Sequence, residues 1–110
     1  MKILITGNLG YIGSVLTPFL ENEGYKIKGI DCGYYKDDLL CEQKEPSNQL
    51  IKDVRKIEEN DIRGFEIVIH LAGLSNDPLG EFNSKLTREI NYDSTVNLAK
   101  LAKKTGVEKF

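Results

Sequence analysis

Residues 2–13 read KILITGNLGYIG, and the fold of the whole chain follows from how this stretch is read. A short apolar run, Ile3-Leu4-Ile5, meets Thr6 and then glycines at positions 7, 10 and 13, after which apolar residues recur at helical spacing. That is a strand, a tight turn and a helix start. Glycines serve such a turn in three ways: one permits a backbone angle closed to other residues, one lets a phosphate approach the main chain, and one lets the helix pack closely. The unpaired N–H groups of the new helix then face an anion, which makes Gly7, Gly10, Tyr11, Ile12 and Gly13 the first candidate binding residues. A glycine triplet alone would also serve an ordinary tight turn. Here the strand before it and the helix after it are both legible, which is the context the phosphate-binding reading requires.

The composition bounds what such a unit can be. With 110 residues, 40% of them hydrophobic, the chain can build one compact core and little more. Fifteen basic against 17 acidic side chains leave a net charge of −2, which gives no reason to expect a nucleic-acid partner. Cys32 and Cys41 stand at neither a metal-ligand nor a C-x-x-C spacing. They read as free thiols in a reducing cytosol, and with neither a signal peptide nor a run of membrane-spanning length the chain reads as cytoplasmic.

Beyond the turn, Ile12, Val15, Leu16, Phe19 and Leu20 fall on one helical face, taken here as the buried one, with Pro18 inside the helix and Gly24 ending it. Tyr25 to Asp31 alternates apolar and polar residues and reads as a second strand ending in an acid, 18 residues beyond Gly13. An acid there accepts hydrogen bonds from both ribose hydroxyls of an adenosine and repels a 2′-phosphate, so Asp31 favours NAD over NADP. A solvated aspartate at a strand end is the plainer alternative. Residues 33–48 are polar and aperiodic, a loop with a helical turn around Asp38 to Cys41. Gln49 to Val54 suits a third strand, and Arg55 to Asn60 a short helix or turn. Phe65 to Leu71 is a nearly continuous apolar run, as in a central parallel strand buried on both faces. His70 within it reads as a hydrogen-bonded core residue rather than a catalyst. Ser75, Asn76 and Asp77 follow that strand's C-terminal end, where ligands sit in open parallel sheets, although turn chemistry explains them equally well. A long helix is expected from Asn83 to Lys104, with Leu86, Ile90, Leu98, Leu101 and Ala102 as its buried stripe and Gly106 beyond its end. Val107 to Phe110 begins a fifth strand.

The string from Thr6 to Gly13, spaced G-x-x-G-x-x-G, resembles the extended short-chain dehydrogenase/reductase family, the NAD-dependent epimerases and dehydratases of nucleotide sugars. The resemblance extends to Phe110 and implies a Rossmann-type doubly wound parallel α/β sheet of strand order 3-2-1-4, an NAD cofactor and, in a complete enzyme, a nucleotide-sugar substrate. It further implies that Asp53-Val54 contacts the adenine, where the residues alone suggest only a helix cap. By the same resemblance, the segment His70-Leu71-Ala72-Gly73 passes beside the pyrophosphate and nicotinamide ribose, with Leu71, Ala72 and Gly73 as its binding residues, and Asn91 supports the active site from the long helix. A serine, Ser94, stands where the family usually has glycine. The family's acid/base pair is Tyr-x-x-x-Lys, but the residue four places after Tyr11, Tyr25, Tyr34, Tyr35 and Tyr92 is Val15, Gly29, Asp38, Leu39 and Val96 respectively. No catalytic residue is therefore assigned, and the chain is expected to be the N-terminal portion of a larger enzyme. A stand-alone nucleotide-binding or regulatory module and a methyltransferase-like site are the competing readings; the glycine spacing argues against the latter. The strand from Glu66 to Leu71 is expected to be an edge without proline or lysine, prone to self-association.

Overall fold

The computed structural model describes residues 1–34, 48–74 and 83–110. The expected helical turn around Asp38 to Cys41, and Ser75, Asn76 and Asp77, read above either as ligand-facing or as plain turn residues, lie outside them. Strand β1 (Lys2–Thr6) is followed by helix α1 (Gly13–Asn22), β2 (Lys26–Asp31), β3 (Gln49–Ile51), a 3₁₀ turn (Val54–Lys56), a short helix α2 (Glu59–Ile62) and β4 (Ile67–His70). Helix α3 (Ser84–Arg88) then passes through a π-helical segment (Glu89–Asp93) into α4 (Ser94–Thr105). The four strands are parallel in the order β3-β2-β1-β4. β1 is therefore central, and its C-terminal end, where the glycine turn begins, opens between β2 and β4. That is the point at which connections leave in opposite directions and a crevice forms.

Alternation along β1 divides the core between the two faces of the sheet. Leu4 packs with Ile30, Val54, Ile57, Ile62, Val68, Leu98 and Ala102 on the face covered by α2 and α4. Ile3 and Ile5 pack with Ile27 on the other, with Leu20 of α1 against them. Leu4 and Ile5 lose all contact with solvent, and side chains of that size contribute about 1.5–3 kcal/mol each on burial.

Several sequence expectations change here. The third strand stops at Ile51, because Asp53 caps the following 3₁₀ turn by accepting a hydrogen bond from the Arg55 N–H at 2.9 Å. β4 is not buried on both faces: only Val68 is fully buried, while Ile67, Ile69 and His70 are half-buried at the outer strand of the described sheet. The expected fifth strand begins as a single parallel bridge from Lys109 to Ile67, with the Val68 N–H donating to the Lys109 carbonyl at 2.9 Å.

Helix α1 presents a different face from the expected one. Gly13 and Thr17 are buried, whereas Ile12, Val15 and Phe19 are 62%, 72% and 58% exposed. The cause lies at the helix start: a Cβ on Gly13 would stand 2.5 Å from the Asn8 Cα, so this side of the helix is pressed against the turn and fixes the rotation of the remainder. The helix runs on through Pro18, which is exposed.

The long helix keeps its expected start, with the Asn83 side chain accepting from the Leu86 N–H at 3.0 Å, and its expected end, with Gly106 in the left-handed region at φ 81°. The π-helical segment in its middle has no counterpart in the sequence pattern. Its buried stripe is Ser94, Leu98 and Ala102, with Leu86, Ile90 and Leu101 only half-buried. Among the described residues no helix is long and apolar enough to cross a membrane.

Candidate binding site at the glycine turn

The turn is held from behind before anything can bind in front of it. The Gly7 N–H donates to the Ile30 carbonyl at 2.8 Å, and the Leu9 N–H donates to Asp31 Oδ2 at 3.0 Å. The three glycines divide their work much as the spacing suggests. Gly7 has φ +72°, and a Cβ on it would lie 2.6 Å from the Ala72 N, so it is the residue that lets β1 and the exit of β4 meet. Gly13 packs against the turn. A Cβ on Gly10 would meet, among the described residues, only the Gly7 carbonyl oxygen at 3.2 Å, so this glycine faces open space.

That space is a cavity of about 670 Å³. It is walled on one side by Gly7, Leu9, Gly10, Tyr11, Ile12 and Gly13, and on the other by His70, Leu71, Ala72, Gly73 and Leu74, with Asn91 and Thr95 of the long helix closing it. Nine candidate residues thus converge: Gly7, Gly10, Tyr11, Ile12, Gly13, Leu71, Ala72, Gly73 and Asn91. None of the described lining side chains carries a formal charge. The Ser14, Val15 and Leu16 N–H groups donate to the Gly10 and Ile12 carbonyls, so an anion here would be met by the N–H groups of Tyr11, Ile12 and Gly13 and by the positive end of the helix dipole.

Asp31, Asp53 and Val54 do not line this cavity. Asp31 is half-buried at the end of β2, and besides Leu9 it accepts from the Gly33 N–H at 2.8 Å through Oδ1. Each carboxylate oxygen keeps a lone pair for a further donor. Asp53 is more fully engaged: the Arg55 guanidinium grips both its oxygens, at 2.6 Å for the shortest contact, and this pairing holds the carboxyl below its ordinary value. The helix-cap reading of Asp53 is thus realised in the structure, and Val54 is buried in the core.

Asn91 acts on the main chain of the opposite wall. Its Oδ1 accepts from the Leu74 N–H at 2.7 Å, and its Nδ2 donates to the Leu74 carbonyl at 2.8 Å, so one side chain mimics a strand neighbour for the segment leaving β4. It projects from the π-helical segment, a geometry that often marks functional positions.

Leu9, Leu74 and Thr95 are wall residues that the sequence did not nominate, and His70 entered only as the first residue of the segment that runs to Gly73. His70 is indeed hydrogen-bonded, as expected: Nδ1 meets Thr6 Oγ1 at 2.6 Å and Nε2 meets Thr95 Oγ1 at 2.9 Å. The Thr95 hydroxyl donates its own proton to the Asn91 carbonyl at 2.9 Å, so it accepts from Nε2–H. Burial pushes the imidazole pKa down and so favours the neutral ring, in which Nδ1 accepts from the Thr6 hydroxyl. A glimpse of this role was available in the sequence, since Thr6 and His70 end two strands that the order 3-2-1-4 makes neighbours.

Comparison with known proteins bears on the family and the fold. The model of the NAD dependent epimerase/dehydratase family matches residues 3–110. A UDP-glucose 4-epimerase of Mycolicibacterium smegmatis is 26% identical over 117 residues, covering 99% of this chain and 37% of that protein. Among solved structures, an NAD dependent NDP-hexosamine 5,6-dehydratase involved in tunicamycin biosynthesis superposes with a TM-score of 0.84 at 28% identity, covering 97% of this chain and 35% of that one. The UDP-glucose 4-epimerase of Thermus thermophilus, solved in complex with NAD, gives 0.80 at 26% identity with the same coverage, 97% and 35%. The chain thus spans about a third of the length of these relatives.

Proposed function

Because the chain belongs to the NAD dependent epimerase/dehydratase family, we propose that it forms the NAD-binding part of an enzyme that epimerises or dehydrates a nucleotide sugar. The observation that carries this is the convergence of the glycine turn, the exit of β4 and Asn91 on one uncharged cavity, with Gly10 leaving room where a side chain would intrude. A diphosphate suits that room: it brings its own charge to the Tyr11, Ile12 and Gly13 N–H groups, which the turn's own hydrogen bonds leave unused among the described residues.

In this reading Gly7, Gly10, Tyr11, Ile12 and Gly13 hold the pyrophosphate. Asp31 accepts from the adenosine ribose hydroxyls through its remaining lone pairs, and its charge excludes a 2′-phosphate, so NAD is used in preference to NADP. Asp53 and Val54 flank the adenine, with Arg55 fixing the carboxylate that faces it. Leu71, Ala72 and Gly73 pass beside the nicotinamide ribose, held in line by Asn91. Bound there, NAD supplies a hydride acceptor for transient oxidation of a sugar carbon. No residue of this chain is assigned the acid/base role. Soluble, cytoplasmic occurrence and self-association through the β4 edge belong to the same proposal.

Calorimetric titration with NAD, NADP, ATP and S-adenosylmethionine tests it. NAD is expected to bind best, weakly, with ADP-ribose competing nearly as well because most of the contacts lie at the adenosine and pyrophosphate. Equal or tighter binding of S-adenosylmethionine would refute the reading.

A further inference from the structure

Asn8, between two cavity-lining residues, does not itself line the cavity. Its side chain is 1% exposed and turns to the sheet. There its amide pairs reciprocally with that of Gln49, the first residue of β3: Asn8 Nδ2 donates to Gln49 Oε1 at 2.6 Å, and Gln49 Nε2 donates to Asn8 Oδ1 at 3.2 Å. The pair crosses over β2 at Gly29, which is in register with Ile5 on one side and Gln49 on the other. Gly29 makes the crossing possible, because a Cβ there would lie 2.3 Å from Asn8 Nδ2 and 2.4 Å from Gln49 Oε1. Three residues on three segments are thus mutually fitted, and none of them touches the cavity.

Asn8 shares its peptide units with Gly7 and Leu9, so anything that fixes its side chain fixes the planes of those units. We infer that Gln49 is a positioning residue for the anion-binding turn: through Asn8 it sets the main chain that presents N–H groups to a diphosphate. This rests on the dinucleotide reading of the cavity. A buried primary amide without its partner would have to seek another, and the nearest way is to rotate the turn. The hydrogen bonds from Gly7 to Ile30 and from Leu9 to Asp31 anchor the turn to β2 alone. Gln49 adds a tie that reaches across β2 to β3, so the turn is anchored to two strands.

Gln49→Met keeps the length of the side chain and removes both hydrogen bonds. With the whole 110-residue chain, calorimetry is expected to show ADP-ribose binding weakened about tenfold, the equivalent of one buried neutral hydrogen bond, while adenosine binding changes by less than about twofold. Gln49→Glu retains an acceptor for Asn8 Nδ2 and loses the donor, and is expected to fall between the two should Gln49→Met fold poorly. Amide hydrogen exchange read by NMR supplies an arm that needs no ligand. The Gly7, Leu9 and Gly10 amides are expected to exchange about tenfold faster in Gln49→Met, with Ile5 unchanged. Equal losses for ADP-ribose and adenosine with uniformly faster exchange would reduce Gln49 to general stability, and no change in either measurement would overturn the inference outright. Should the unmutated chain bind neither ADP-ribose nor NAD, the dinucleotide reading fails, while exchange still decides whether Gln49 holds the turn.

Discussion

Replacing Gly7 and Gly10 in turn by alanine separates the structural glycine from the binding glycine. Gly7 sits at φ +72°, and its Cβ would press on the main chain of Leu71 and Ala72 at 2.6–2.8 Å, where no flexible side chain can yield. The left-handed backbone costs an alanine about 1–2 kcal/mol and forced displacement of a packed neighbour about 1–3, so Gly7→Ala should lose roughly 2–5 kcal/mol. Against a total of about 5–15 kcal/mol for a domain of this kind, that is a large share. Gly10 has neither problem: its φ is ordinary and its Cβ meets one carbonyl oxygen at 3.2 Å, so Gly10→Ala should cost about 1 kcal/mol or less. Urea unfolding followed by far-ultraviolet circular dichroism measures both, and the chain contains no tryptophan to follow instead. Binding should invert the order. Gly10→Ala, and Gly10→Val more completely, should lose ADP-ribose while remaining folded, because the side chain grows into the cavity. The reasoning fails if the two alanine variants unfold at the same urea concentration, or if Gly10→Val binds as well as the unmutated chain.

Three further outcomes are expected. Asp31→Ser should narrow the preference for NAD over NADP by removing the charge that would face a 2′-phosphate, and should also loosen the turn by taking the acceptor from the Leu9 N–H; equal affinities in the unmutated chain would contradict the assignment. Burial holds the folded-state pKa of His70 below 6.5, so the unfolded chain takes up that proton first; the stability His70 contributes is present above pH 6.5 and is lost as pH falls below it. His70→Phe should flatten urea midpoints between about pH 7.5 and 5.5, above the range in which Asp53, Glu59, Asp61 and Glu66 exchange protons, whereas an unchanged slope would locate the effect elsewhere. Light scattering coupled to size exclusion should show self-association, since Ile67 and Ile69 are half-buried on the outer strand and Val15 and Phe19 are exposed on α1; a monodisperse monomer at all concentrations would mean that the bridge from Lys109 protects the edge sufficiently.

The sequence alone determined the strand-turn-helix at residues 2–13, and its resemblance to a known family added the parallel order 3-2-1-4 together with Leu71, Ala72, Gly73 and Asn91 of the cavity wall. The strand-turn-helix follows from local signals, an apolar run of strand length and glycines where a side chain or an ordinary φ cannot fit. Tertiary structure decided what depends on orientation about an axis. Periodicity assigned α1 an apolar face through Ile12, Val15 and Phe19, but contact between Gly13 and Asn8 sets the rotation of the helix and leaves those residues outward. In the long helix, positions 86, 90, 94, 98 and 102 are four apart, and each step of four overshoots an α-helical turn by about 40°. The wider π turn at Glu89–Asp93 takes up part of that drift, lets Ser94, Leu98 and Ala102 face the sheet, and points Asn91 at Leu74. The pairings of Asn8 with Gln49 and of His70 with Thr6 and Thr95 join residues 41, 64 and 25 positions apart. No local signal encodes such a hydrogen bond, because its strength comes from desolvation that exists only once the sheet has assembled around it.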